Sequence, residues 1–145
     1  GDVIAIPDDA SNGGRALKVL ANAGLITLKA EAGSNPTVAD IDTYNVQIEI
    51  KEMGAADIPS VLPDVTAAVI NGNYALDYGI DPTTAIYEET EYDDDSYFCL
   101  MAVRSSDADD AVYKRIVELF QSETTKQIFK DEFNGYFVPA WEVQK

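Results

Sequence analysis

Apolar and polar stretches alternate along the chain in a way that favours an α/β fold. Residues 3–6 form an apolar run rich in β-branched side chains. A helical stripe of apolar residues follows and ends just before Gly24. The pattern therefore predicts a strand over residues 3–6 and a helix over residues 11–23. Strands that alternate with helices are typical of a mostly parallel central sheet flanked by helices.

The middle of the chain contains two further strand patterns. Residues 46–50 alternate apolar and polar side chains, which is typical of a strand with one face in water. Residues 67–70 are uniformly apolar, as in a parallel strand covered on both faces. Between them we predict a short helix over residues 55–62, with Pro59 in its first turn. A second short helix is predicted over residues 36–41.

The last part of the chain is predicted to be mainly helical. Apolar stripes indicate two helices within residues 108–133, separated near Ser122. The apolar run over residues 98–103 predicts a buried strand, which would also bury Cys99 as a small apolar side chain. We expect the aromatic residues 136–141 to pack against other parts of the protein. A short helix from Tyr74 to Tyr78 and a short strand over residues 85–87 complete the prediction.

Charge narrows the range of functions. The 145 residues include 26 acidic and 10 basic side chains and no histidine, which gives a formal net charge of −16. Nucleic-acid binding needs clustered basic residues, so we predict no nucleic-acid partner. The acidic run over residues 88–95 does not match the spacing of a calcium-binding loop, and we interpret it as a solvated surface loop. We assign no metal and no cofactor.

The first candidate site lies where the first predicted strand meets its helix. Unpaired N–H groups and the helix dipole attract anions to such a junction. In the first helical turn, Arg15 would add a guanidinium group suited to a carboxylate. The structural alternative is that Ser11 or Asn12 caps the helix, that Gly13 and Gly14 form a loose first turn, and that Arg15 is a solvated charge.

A second polar cluster follows the predicted strand over residues 67–70. Ligands of open α/β sheets bind outside the carboxyl ends of the strands, so we expect the clusters 11–15 and 71–74 to face one crevice. A purely structural role stays open, because Asn and Gly suit turns and an Asn can cap a helix. The candidate ligand-binding residues are Ser11, Asn12, Arg15, Asn71, Asn73 and Tyr74.

Both clusters, taken together, resemble the methionine-binding lipoproteins of bacterial ABC importers. The resemblance is carried by residues 4–9, 11–17, 23–26 and 67–75, and it continues through residues 98–104, 121–123 and 135–140. It implies a periplasmic-binding-protein fold of the second type, in which two α/β lobes close on a small ligand. Asp8, Ala10 and Gly13 stand where the family pattern has Asn, Pro and Glu, which leaves the identity of the ligand open.

The resemblance also implies a role in amino-acid transport. Residues 1–145 would be a single lobe, the carboxyl-terminal one, without the family's amino-terminal lobe, signal peptide and lipid-bearing cysteine. The residue matching Arg15 would hold the α-carboxylate of an amino acid, and an Asn within residues 71–73 would hold its ammonium group. The implied partners are methionine or a related amino acid, the membrane subunits of an ABC importer and the other lobe. The implied location is the extracytoplasmic face of the cell envelope, and we expect the lobe alone to self-associate.

Two other classes of function stay open at this point. One is a stand-alone interaction or sensory module that keeps the fold without binding a ligand. The other is an enzyme, which would need a positioned acid or base that the sequence does not offer. Thermal melting with a panel of amino acids separates these classes, because only a specific ligand raises the melting temperature by mass action.

Overall fold

The computed structural model of the chain describes residues 1–89 and 97–142 and divides into two compact units, Gly1–Tyr87 and Glu88–Lys145. In the described part of the first unit, strand β1 (Asp2–Pro7) lies in the middle of a parallel sheet. Strand β4 (Ile48–Met53) pairs with one edge of β1, and strand β5 (Ala67–Ala68) pairs with the other. The predicted first strand and the predicted parallel sheet are both confirmed.

Helix α1 (Ala10–Asn22) follows β1 and covers the sheet. It agrees with the helix predicted over residues 11–23. Its buried positions lie three and four residues apart and contact the apolar side chains of β1, as the helical stripe requires. The core cluster of the first unit consists of Ile4, Ile6, Ala16, Leu17, Leu20 and Ile26.

A small antiparallel pair lies between α1 and β4 in the chain. Strand β2 (Ile26–Leu28) pairs with strand β3 (Ile41–Tyr44). The sequence pattern did not predict β3, because its Asp-Thr-Tyr segment has no apolar alternation and its pairing comes from a distant part of the chain. A single 3₁₀ turn, Val38–Asp40, lies within the helix predicted over residues 36–41.

The first unit also contains two short α-helices, besides the 3₁₀ turns Leu62–Asp64 and Pro82–Thr84. Helix α2 (Ile58–Val61) has Pro59 near its start, where a missing N–H group is tolerated, as the sequence predicted. Helix α3 (Gly72–Asp77) begins two residues before the predicted helix that starts at Tyr74.

Two predicted strands differ from the observed ones. The strand predicted over residues 46–50 begins only at Ile48, because the Ile48 N–H donates to the carbonyl of Val46 and closes a local bend there. The strand predicted over residues 67–70 shortens to β5, and its residues are half-buried rather than covered on both faces. Within the described residues β5 pairs with β1 alone, so one of its edges lacks a neighbouring strand.

The second unit contains the two predicted long helices, α4 (Ala111–Phe120) and α5 (Glu123–Glu132). Asp110 and Ser122 cap them through hydrogen bonds from backbone N–H groups. Phe120 and Phe129 pack against Trp141, and their ring centroids lie 6.0 and 6.4 Å from the centroid of the tryptophan ring. The expectation that the aromatic residues 136–141 pack against other parts of the protein is therefore confirmed.

An ion-pair network holds the end of the described chain to α5. Lys126 binds Glu123 at 2.6 Å and also binds Glu142, which lies in the 3₁₀ turn Ala140–Glu142. The hydrogen bonds that Lys126 donates to these two carboxylates, first that to Glu123, raise the pKa of Lys126 above its ordinary value. The lysine therefore stays charged at all physiological pH values.

Several predictions for the region after α3 are wrong. Residues 85–87 and 98–103 are not strands, and Leu100 is 81% exposed. Cys99 is exposed as well, not buried. An apolar run indicates a preference for burial, but a strand also needs a neighbouring strand for its backbone groups, and neither sheet of the described residues includes residues 98–103. Of the acidic run over residues 88–95, everything after Glu89 lies outside the described residues.

Candidate functional site

The two predicted polar clusters lie at the same edge of the sheet. Strands β1 and β5 are adjacent and parallel, so the segments that leave their carboxyl ends emerge side by side. The side chain of Asn71, which follows β5, donates from Nδ2 to Oδ1 of Asn12 in the first turn of α1, over 2.9 Å. The sequence prediction that clusters 11–15 and 71–74 come together is confirmed by this contact. Because the chain leaves β1 toward β4, while β5 pairs with the opposite edge of β1, the site lies at a switch point of the sheet.

Helix α1 is capped by Asp9, and the expectation that Ser11 or Asn12 is its cap is wrong. Oδ1 of Asp9 accepts the backbone N–H of Asn12 over 2.9 Å, and its Oδ2 accepts from Nδ2 of the same residue over 2.9 Å. These two hydrogen bonds lower the pKa of Asp9 below its ordinary value. The helix therefore begins at Ala10, and Arg15 lies in its second turn rather than its first.

The cap changes how the helix terminus can act. A carboxylate already occupies the amino-terminal end of α1 and accepts one of its N–H groups, so the anion at this end is part of the protein. A carboxylate ligand would be attracted mainly by the guanidinium group of Arg15. Arg15 lies three residues after Asn12, which puts both side chains on one face of the helix, and Arg15 is half-buried.

The glycines of the first turns allow close packing rather than a loose turn. A Cβ atom on Gly13 would lie 2.7 Å from the carbonyl oxygen of Pro7, and one on Gly14 would lie 2.9 Å from Cα of Asn35. Both glycines are buried. Their role is to bring α1 close to the end of β1 and to the loop that follows β2.

Asn71 presents an unsatisfied acceptor at the site. It stands at the capping position of α3, where its carbonyl accepts the N–H of Ala75, but its side chain makes no cap and turns to Asn12 instead. Its Oδ1 is buried and receives no hydrogen bond from any described residue. A buried acceptor without a donor costs about 1–3 kcal/mol, and a ligand N–H or ammonium group would remove that cost.

The remaining candidates differ in their exposure. Tyr74 is half-buried, whereas Ser11 and Asn73 are exposed. Sequence reasoning missed Asp9, although Asp is among the residues preferred at the position just before a helix. Among the described residues, no three histidine, cysteine or acidic side chains lie close enough together to hold a metal ion.

Comparison with known proteins agrees with this architecture. In open α/β sheets the carboxyl edge of the strands is where ligands bind, and the similar solved structures include a nutrient-binding protein and a periplasmic substrate-binding protein. The chain belongs to the NlpA lipoprotein family, whose model matches residues 1–141. The predicted resemblance and the predicted fold class are both confirmed.

Individual relatives are similar over nearly the whole chain. The D-methionine-binding lipoprotein MetQ of Escherichia coli O157:H7 is 34% identical over 97% of this chain and 52% of its own length. A nutrient-binding protein from Burkholderia cenocepacia, solved with methionine bound, is 39% identical with a TM-score of 0.76 over 97% of this chain and 59% of its own. A periplasmic substrate-binding protein of an ABC transporter from Coxiella burnetii is 32% identical with a TM-score of 0.75, over 97% and 57% of the two chains.

The matches therefore cover nearly all of this chain but only part of each relative. The chain spans about half the length of the curated relatives it matches, such as 53% of outer membrane lipoprotein 3 from Mannheimia haemolytica.

No helix within residues 1–89 and 97–142 is long and apolar enough to cross a membrane.

Proposed function

We propose that residues 1–145 form one lobe of a substrate-binding protein that delivers methionine, or a closely related amino acid, to an ABC importer. Arg15 holds the α-carboxylate of the ligand and Asn71 holds its ammonium group. These two contacts are surrounded by Ser11, Asn12, Asn73 and Tyr74. The observation that carries the proposal is the buried Oδ1 of Asn71 beside the first turns of α1, which accepts no hydrogen bond from any described residue.

The chemistry of the two groups supports an amino-acid ligand. A guanidinium group binds a carboxylate with two parallel hydrogen bonds, and an amide oxygen accepts from an ammonium group. The names of the similar proteins point the same way, since one is a D-methionine-binding lipoprotein and another was solved with methionine. These groups bind charge and do not exchange protons at neutral pH, so we propose binding rather than catalysis.

We further propose that the ligand lies between this lobe and a second lobe of the same protein. The partial coverage of the relatives supports this proposal. The second unit supports it too: none of its described residues is buried, and α4 exposes Val112 and Leu119 by 65% and 55%. An exposed apolar surface of this kind is normally covered by another protein surface. The lobe alone would expose it and would therefore self-associate.

The proposed location is the extracytoplasmic side of the cell envelope, where the membrane subunits of the importer receive the ligand. The lipoprotein names of the relatives support that location. The alternative of an interaction module without a ligand is not favoured by any observation of the site.

Replacement of Arg15 tests the proposal. In the full-length protein that contains this lobe, Arg15→Ala should weaken methionine binding by about 2 to 4 kcal/mol, or about 30- to 900-fold in Kd, because it leaves the carboxylate unpaired. Titration calorimetry measures the change, and the melting temperature without ligand shows whether the variant is folded.

Lys51→Ala is the matched control. It removes one positive charge from an exposed position of β4, so it should leave the affinity unchanged. If Arg15→Ala binds methionine as tightly as this control does, Arg15 does not hold the ligand.

A further inference from the structure

Three side chains from two distant segments form one line of hydrogen bonds at the site. Oδ2 of Asp9 accepts from Nδ2 of Asn12 over 2.9 Å. Oδ1 of Asn12 accepts in turn from Nδ2 of Asn71, again over 2.9 Å. Oδ1 of Asn71 is the end of the line, and it is buried.

The charge at the start of this line determines the direction of every bond in it. An ionised carboxylate only accepts hydrogen bonds, so Asn12 has to turn its NH₂ group toward Asp9 and its oxygen toward Asn71. Asn71 then has to offer its own NH₂ group to that oxygen. The atom of this amide that is left without a hydrogen bond is the oxygen of Asn71, since its NH₂ group already donates to Asn12.

From this line we infer that Asp9 and Asn12 are positioning residues that hold the amide of Asn71 with its oxygen toward the ligand. The inference rests on the proposed function and names the ligand class that the oriented amide selects. An oxygen accepts from an ammonium or another N–H donor, whereas a flipped amide would turn two donors toward it. The line therefore favours an amino acid over an analogue that lacks the amino group.

The lowered pKa of Asp9 supports this arrangement. Its two hydrogen bonds from Asn12 keep the carboxylate ionised well into the acidic range. A protonated Asp9 would be able to donate, and the direction of the line would no longer be determined.

Asn12→Ala tests the inference without removing the helix cap, because the capping bond to Asp9 comes from the backbone N–H of residue 12. Calorimetry on the full-length protein compares two ligands: methionine, and the methionine analogue whose ammonium group is replaced by hydrogen. We expect about a 10-fold loss of affinity for methionine, the size of one hydrogen bond to a charged group, and no change for the analogue.

Asp9→Ser gives an independent test. Serine is a good helix cap, but its hydroxyl group both donates and accepts, so it no longer determines the direction of the line. The variant should lose affinity for methionine and keep its affinity for the analogue. Asp81→Ala is the matched control, because Asp81 also caps through its carboxylate but bonds only within its own turn, to Thr83.

Two results would overturn the inference. One is an Asn12→Ala protein that binds both ligands as the wild type does. The other is an equal loss for both ligands, which would mean a structural role.

If the wild-type protein binds neither ligand, the proposed function fails separately. The side-chain amide signals of Asn71 in NMR then decide, since they should shift in Asp9→Ser if the line exists and stay in place if it does not.

Discussion

The close approach of α1 to the loop after β2 makes Gly14 a sensitive position. A Cβ atom there would lie 2.9 Å from Cα of Asn35, 3.1 Å from its carbonyl carbon and 3.2 Å from Cδ of Pro36. These atoms belong to the backbone or to a proline ring, and Pro36 is buried. They cannot rotate away as the end of a long side chain would.

Two opposing effects decide the stability of Gly14→Ala. In a helix interior, alanine is favoured over glycine by about 1 kcal/mol. Carbon atoms normally pack at about 3.5–4.0 Å, so the new methyl group would be about half an ångström too close to several atoms. Overpacking of this kind costs about 1–3 kcal/mol, and three rigid contacts put it at the upper end. We expect a net loss of about 1–2 kcal/mol in the free energy of unfolding.

Urea unfolding of the 145-residue chain, followed by circular dichroism, measures this loss. Gly33→Ala is the matched control, since a Cβ atom there meets nothing within 4 Å and the glycine has no positive φ. Its stability should stay within about 0.5 kcal/mol of the wild type. A Gly14→Ala chain as stable as the control would refute the reasoning, because it would mean that the loop at Asn35 yields at no cost.

Two further predictions concern pH and affinity. Because the folded state lowers the pKa of Asp9, its contribution to stability is complete above the ordinary carboxyl pKa of 3.8 and is lost as the pH falls through the lower folded value. Asp9→Asn should therefore show a flatter decline of unfolding free energy below that pH. The 145-residue chain alone should bind methionine with a Kd of about 1 mM or weaker, since one lobe provides about half of the contacts. Micromolar binding in calorimetry would contradict the two-lobe proposal.

Local signals explain which parts of the fold could be predicted from the sequence. Strand β1 and helices α1, α4 and α5 follow from apolar periodicity among residues that are close in the chain. Strand β3 and the exposed state of residues 98–103 depend on which segment lies beside them. No local pattern contains that information, so β3 was not predicted and residues 98–103 were predicted incorrectly as a buried strand.

The candidate site shows the same division. The carboxyl-edge rule for parallel strands brought Asn12 and Asn71 together correctly. Asp9 was missed as the cap because Ser11 and Asn12, two residues of equal capping preference, follow it within the same polar stretch. Only the structure shows that the second amide, 59 residues away, continues the line.

The position of the single tryptophan has a practical consequence for spectroscopy. Trp141 packs on Phe120 and Phe129, so its fluorescence reports the environment of the Glu88–Lys145 unit. Far-ultraviolet circular dichroism reports the helices of both units. Without labelling, tryptophan fluorescence therefore follows the unfolding of the Glu88–Lys145 unit, and circular dichroism follows the unfolding of both units. Coincident melting curves from the two probes would identify a single cooperative transition, and separated curves would give the melting order of the units directly.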